Sequence, residues 1–423
     1  TSAEFDVTVL PLPLDRTIIA NPTIIALNTS SNIEIPNSQT TVTYQLQDVS
    51  NGNVNIGTPQ TGTGGTLKIG KFGGNWKFET GATWRSPELE LNDIGFMNNA
   101  DEINHFFWSG YRFNNPFGIF RNMGLNVNSW SRWDFSGRHL HQSANMNMFA
   151  QFKNFYRFFI GYSKEFKDIS NQGLFGGPAL RKSRGNAIFT NIGTDSRKKV
   201  RLNFNAFWAK GNDPDESKTV NAANYGLTLT IQPTNALRIS IRPNIGQFDR
   251  LMQNVSDVQY EGKTNYIVSS LDQNTFSMTL RLNYNITPNL TIQYYGQPFI
   301  TRVRYFDFKR ITNPTARLFH DRYVPLNKVT YDAVAAIYEV TENDTGVTDY
   351  TFDNPDFSFM QFRSNLVARW EYVPGSELFL VFSQRTNNSG DPNEDILPSL
   401  TDNLFNNKPT NIFLIKWTYR FLL

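Results

Sequence analysis

Four histidines stand at His105, His139, His141 and His320. His139 and His141 are two apart, so on a strand they would share a face and could grip a metal. Two ligands do not make a site, and no carboxylate completes one by spacing, so polar wall or loop residues are the plainer reading. Acidic residues gather at Glu88, Glu90, Asp93, Asp101 and Glu102, and more loosely at Asp213, Asp215 and Glu216. Oxygen-rich clusters can hold calcium, but neither group has the spacing of a calcium loop. Solvated loop acids are expected there, and no cofactor is required. Ser, His and Asp all occur without a nucleophile elbow or another local arrangement that orients a general base. No catalytic residue is therefore nominated. Cysteine is absent, which removes thiolate chemistry and disulfides and is compatible with an oxidising envelope.

The informative set is cationic: Arg201, Arg238, Arg242, Arg281, Arg363, Arg369, Lys416 and Arg420, with Glu371 as a nearby carboxylate. Each sits opposite an apolar residue in a period-2 segment. In Thr275–Ile286, Phe276, Met278, Leu280, Leu282 and Tyr284 fall on one face and Ser277, Thr279, Arg281, Asn283 and Asn285 on the other. Leu202, Phe204, Ala206 and Trp208 oppose Arg201, Asn203 and Asn205 in the same way. Leu237, Ile239 and Ile241 oppose Arg238, Ser240 and Arg242, and Phe362, Leu366, Ala368 and Trp370 oppose Arg363, Asn365 and Arg369. Such alternation predicts strands with one greasy and one wet face. With their flanks, most segments have room for roughly 9–14 residues, enough for a tilted strand to cross hydrocarbon.

Composition agrees. Hydrophobic residues make up 39%, charged residues 18% and aromatics 14%, and mean hydropathy is -0.42. No run of about 18 apolar residues exists, so transmembrane helices are excluded. A barrel wall reconciles a polar chain with membrane residence, because only every second residue meets lipid. A net charge of +3 is too small and too scattered for a nucleic-acid partner. No charged start followed by an apolar stretch opens the chain, so if it is exported Thr1 is a mature or trimmed end.

The last segment reads NIFLIKWTYRFLL, with Phe413, Ile415, Trp417, Tyr419, Phe421 and Leu423 in phase and Lys416, Thr418 and Arg420 opposite. A barrel's last strand must pair with its first to leave no edge in lipid. Trp417, Tyr419, Phe421 and Leu423 also resemble the terminal signal read by outer-membrane assembly machinery. Tight turns at Thr287–Asn289, Gln232–Asn235 and Val373–Ser376 contrast with long connections at Arg304–Asp356 and Asn387–Pro409. The expectation is an all-β chain: a transmembrane antiparallel outer-membrane β-barrel over residues 65–423. It has about 14 strands (range 12–18), short periplasmic turns and long extracellular loops. Residues 1–64 are irregular: a plug, a first hairpin or a remnant of an upstream region.

Four stretches carry a family resemblance: GGNWKFETGATWRSPELELNDIGFMNNADE from Gly73, LFGGPALRKSRGN from Leu174, LDQNTFSMTLRLNYNITPNLTIQYYGQPF from Leu271, and RWEYVPGSELFLVFSQ from Arg369. They resemble the carboxy-terminal barrel of DUF5916, a family of Bacteroidota outer-membrane proteins. Members usually carry an amino-terminal module similar to family 9 carbohydrate-binding domains, which is not recognised here. The resemblance implies a link to glycan binding. The functional expectation is a membrane anchor or scaffold of an envelope complex, with outer-membrane lipid, the assembly machinery and other envelope proteins as partners. The alternative is a passive porin-like channel for small polar or anionic solutes, and the third reading is a hydrolase embedded in the barrel.

Overall fold

The computed structural model describes residues 62–91, 97, 99–211, 213, 215, 220–343, 346–396, 398–400 and 407–421. It also gives short backbone strands at Asp6–Thr8, Ile19–Asn21, Asn32–Glu34, Gln45–Gln47 and Val54–Ile56. Apart from these strands, the expectation for residues 1–64 falls outside the described residues, as do Asp93, Glu216 and Leu423. Contacts divide the chain into one unit of Thr1–Thr66 with Thr83–Ile103 and another of Leu67–Ala82 with Asn104–Leu423. In the first, Ser86 is a hub: its hydroxyl accepts from Thr63 N at 2.7 Å and its carbonyl from Leu89 N at 3.1 Å.

The chain is all-β. Fifteen long strands among the described residues form one antiparallel meander. They are β1 Gly64–Lys71, β2 Trp76–Arg85, β3 Glu102–Phe113, β4 Phe120–Trp133, β5 His139–Phe152, β6 Arg157–Ser170, β7 Gly185–Gly193 and β8 Val200–Gly211. The series continues with β9 Val220–Ile231, β10 Leu237–Tyr260, β11 Lys263–Thr287, β12 Leu290–Ile311, β13 Phe357–Val373, β14 Ser376–Gly390 and β15 Thr410–Thr418. Two short edges, Leu180–Arg181 and Tyr323–Pro325, join them. Because the number of long strands is odd, β1 and β15 run in the same direction.

The registers bear out the alternation. Thr230 lies opposite Arg201, Ser240 opposite Arg281, and Thr279 opposite Arg242. Arg369 lies opposite Phe379, and Phe379 in turn opposite Lys416. Directly opposed residues share a face, so these cations belong to one side of the sheet. That side is amide-rich: Asn126 donates to Asn147 at 2.6 Å, Asn128 to Asn145 at 2.7 Å, and Asn191 and Asn203 donate to each other at 2.9 Å. The other side is a long apolar row, with Leu125, Val127, Ile160, Ile188, Leu202, Leu227, Ile245, Leu366 and Leu380 exposed, covered at Ile300 and Met360 by Leu400. A row of that extent far exceeds the apolar patches of ordinary soluble surfaces.

Connections at one end are all short: 72–75, 114–119, 153–156, 194–199, 232–236, 288–289 and 374–375. At the other end they include 171–184, 212–219, 312–356 and 391–409. Three strands far exceed the expected 9–14 residues, β10, β11 and β12 having 24, 25 and 22, while β13 and β14 run slightly over at 17 and 15 and β1 falls short at 8. Twenty-five residues extend about 80 Å at ~3.3 Å each. The expected loop at Arg304–Asp356 therefore begins later, after Ile311, and the one expected from Asn387 begins after Gly390. The extra length escaped the pattern because the greasy–polar alternation breaks there. Bulges interrupt β10 between Arg250 and Gln253 and between Asn254 and Ser256, and Asp307 adopts a positive φ of 54°.

These extensions carry a folded body. Within 312–356, the strands Val329–Asp332, Ile337–Val340 and Tyr350–Asp353 form a small sheet. Val340, Tyr350 and Phe352 from it pack with Val258, Ile267 and Phe308 of the extensions. A second buried cluster joins Leu174 and Leu180 of 171–184 to Val268 and Ile311.

Candidate functional site

A cleft of about 1180 Å³ opens on the polar side of β12–β15. Register explains its chemistry: Arg363 of β13 stands opposite Gln297 of β12 and Arg385 of β14, two residues along from Gln361 and Asn365. Ser383, Asn387 and Lys408 complete the rim. No carboxylate lines the cleft among the described residues. Three cations facing amides and hydroxyls make a surface that can hold anions or polyhydroxylated solutes by charge and hydrogen bonding. Tyr295 is held on this face by the Arg281 guanidinium, 4.9 Å from its ring centre, and donates its hydroxyl proton to Gln297.

Toward the short-turn end the cations have partners on the wall. Arg369 pairs with Glu377 and, at 3.5 Å, with Glu371, whose other oxygen accepts from Gly375 N at 2.9 Å. Arg201 donates to Gln232 at 3.0 Å and to the Ser196 carbonyl at 3.2 Å, and Arg242 donates to Thr228 at 3.1 Å. Lys416 lies 5.9 Å from the Phe379 ring centre. Arg238 stands opposite Asn283, near the 232–236 turn. Strand β15 ends at Thr418, so Arg420, Tyr419 and Phe421 lie past it. Arg420 N donates to Ser376 at 3.0 Å, and Trp417 donates from β15 to the Tyr372 hydroxyl at 2.6 Å.

Of the nominated cations, only Arg363 lines the cleft. Sequence reading passed over Arg385, Gln297, Gln361 and Asn387. The signal was present in LVFSQRTNN, where Val381, Ser383, Arg385 and Asn387 alternate with Leu380, Phe382, Gln384 and Thr386.

The loop end contains a buried ionic centre. Arg322 is fully buried, 2.7 Å from Asp213, which Arg184 also approaches at 3.4 Å. Arg322 donates to the Ala316 and Arg317 carbonyls at 2.9 and 3.1 Å. Asp215 accepts from His320 N at 3.2 Å, which holds its carboxyl below the ordinary range against the upward push of burial. Asp213 and Asp215 thus serve ion pairs and helix-turn bonds, and Glu102 pairs with Arg85. The imidazoles have separate partners. His105 meets Thr80 at 3.2 Å, His139 stacks on Trp133 at 5.0 Å, and His141 lies 3.4 Å from Asp168.

The family model for a domain of unknown function, DUF5916, matches residues 23–422. No curated protein matches the sequence. Among solved structures, the copper transporter OprC is similar at 8% identity over 85% of this chain, with a TM-score of 0.33. The chain spans 64% of that protein's length.

Proposed function

This chain belongs to the DUF5916 family, and from that premise we propose that it is a transmembrane barrel of a Gram-negative outer membrane. It acts there as an anchor or scaffold that displays its folded loop body at the cell surface. The reading rests above all on the long exposed apolar row, which includes Leu125, Leu227 and Leu380, with the opposite side amide- and arginine-lined. Hydrocarbon tolerates a wall whose backbone groups pair between neighbouring strands. Aromatic residues near both ends support it: Trp208 donates to Tyr225 at 2.7 Å toward the long-loop end, and Trp370, Tyr372 and Trp417 cluster at the other. The unequal connections suit short periplasmic turns and exposed outer loops. Partners on this reading are lipid, the machinery that inserts the terminal strand, and other envelope proteins.

A second reading has its own support. The carboxylate-free cleft at Arg363 and Arg385 favours passive passage or retention of small polar or anionic solutes. Two measurements test the pair. Membrane fractionation with protease shaving of intact cells should find the protein in the outer membrane and residues 312–356 accessible from outside; a detergent-free soluble monomer would end the membrane reading. Planar-bilayer recording then separates the roles, since steady ohmic pores would favour the channel over the anchor.

A further inference from the structure

On the polar side of β5 and β6, three side chains assemble without any sequence motif to announce them. The His141 Nε2 lies 2.9 Å from Ser143 Oγ, and the His141 Nδ1 lies 3.4 Å from Asp168 Oδ1. His141 and Ser143 are two apart on one strand, and Asp168 is the cross-strand partner of His141. Bulges bracket the group. The register of β5 shifts against β4 between His139 and His141, and against β6 between Gln142 and Ser143. Bulges commonly re-aim a side chain beside an active site. Ser143 retains 7% of its exposure, and Asp168 also lines a cavity of about 530 Å³ together with Lys182 and Ser170.

We propose that Ser143, His141 and Asp168 form a nucleophile–base–orienter relay that hydrolyses water-soluble carboxylic esters reaching the polar side of the barrel. His141 takes the Ser143 Oγ proton as that oxygen bonds to the acyl carbon. The ester C–O bond breaks, and the leaving alcohol departs with the proton from His141. Water, deprotonated by His141, then attacks the acyl-serine, releasing the carboxylic acid and returning the proton to Ser143. Asp168, with Oδ1 3.4 Å from Nδ1, places a negative charge beside the imidazolium that forms. Backbone N–H groups within strands are engaged in the ladder, so the tetrahedral oxyanion needs a side-chain donor. Arg132, in register with His141 on β4, supplies a cation on that face. The relay sits near the long-connection end of β5, on the side away from the apolar row, so the substrate is polar.

The test uses the full chain folded in detergent, with a fluorophosphonate probe and p-nitrophenyl acetate. The expected result is phosphonylation mapped by peptide mass spectrometry to Ser143. Ester hydrolysis should fall at least about 100-fold in Ser143→Ala and in His141→Ala. Asp168→Asn should lower kcat and change the pH profile while KM stays close to that of the parent. A folded, heat-modifiable wild-type barrel that leaves Ser143 unlabelled would overturn the proposal, and so would Ser143→Ala hydrolysing at the parent rate. The labelling is read on the unaltered protein, so it holds even if a variant fails to assemble.

Discussion

Arg322 Nη1 lies 2.7 Å from Asp213 Oδ2, and both side chains are shut off from solvent. One comes from the 312–356 connection and the other from 212–219, so this ion pair, with the His320–Asp215 contact beside it, ties two loops that are remote in sequence. Arg181 extends the tie, its backbone N donating to the Pro314 carbonyl at 2.9 Å and its Nε to Thr315 at 3.0 Å. The 171–184, 212–219 and 312–356 connections are thereby tied together and are not a set of independent flaps.

Removing one member of that pair should release the body and spare the wall. Arg322→Met takes from buried Asp213 the guanidinium 2.7 Å away, and stripping one partner from a buried pair costs about 3–5 kcal/mol. Limited trypsinolysis should cut 312–356 far faster in the variant, while heat-modifiable migration of the barrel stays unchanged. Equal cleavage rates would show that the pair does not hold the loops.

Acid should act on the same body through Glu342. Burial pushes its carboxyl up, but hydrogen bonds from Arg310 (both at 2.7 Å) and from the Tyr350 hydroxyl outweigh that and hold it below the usual range. A depressed carboxyl contributes stability above its unfolded value, about 4.3, and loses it as pH falls through the folded value. Asp356 opposes this, because burial raises its carboxyl and acid relieves it. Protease resistance of 312–356 should therefore fall below about pH 4.3 in the parent. Glu342→Gln should be weaker at neutral pH and flatter on acidification; an unchanged profile would remove Glu342 from the account.

How far the chain was readable follows from which forces repeat along it. The period-2 rule placed Phe276, Met278 and Leu280 on one side and Arg281 on the other, because a pleat leaves no choice of face. It identified Arg363 on the wet side but not its neighbour Arg385, since which strands lie adjacent follows from chain order only once the strands have been counted. The extensions of β10 to β12 were unreadable for a different reason. Outside the alternating zone, Val258 and Ile267 answer to loop residues such as Phe352, and no local period encodes such a partner. The Ser143–His141–Asp168 geometry depends on two bulges, which nothing in the spacing forecasts.

Adjacent residues on one strand test the two faces directly. Leu366 belongs to the exposed apolar row and Val367, opposite Gln293 and Val381, to the polar side. If lipid covers the first, Leu366→Arg should cost about 2–4 kcal/mol at mid-membrane, and Val367→Arg should cost far less. Reversible urea unfolding in lipid vesicles reads both. Equal costs would mean that the apolar row does not face hydrocarbon.

The cleft makes the last prediction. Arg363 and Arg385 face each other in register, Lys408 adds a third cation, and no carboxylate among the described lining residues neutralises them. Like charges held side by side gain from any anion that sits between them, and the surrounding amides and hydroxyls offer hydrogen bonds to a sugar ring. Each charge-assisted hydrogen bond contributes about 1.5–3 kcal/mol, so losing both guanidinium groups should weaken binding by at least about tenfold. The ligand to use is a small sulfated disaccharide, titrated calorimetrically into the folded barrel in detergent. Arg363→Ala with Arg385→Ala should lose that affinity, and the parent's affinity should drop as salt rises past about 0.15 M, where exposed charges are screened beyond ~8 Å. Arg369→Ala, which removes a cation already paired with Glu377, should leave it nearly unchanged. Undiminished binding in the double variant, or equal loss in Arg369→Ala, would mean that the cleft is not where anions are held.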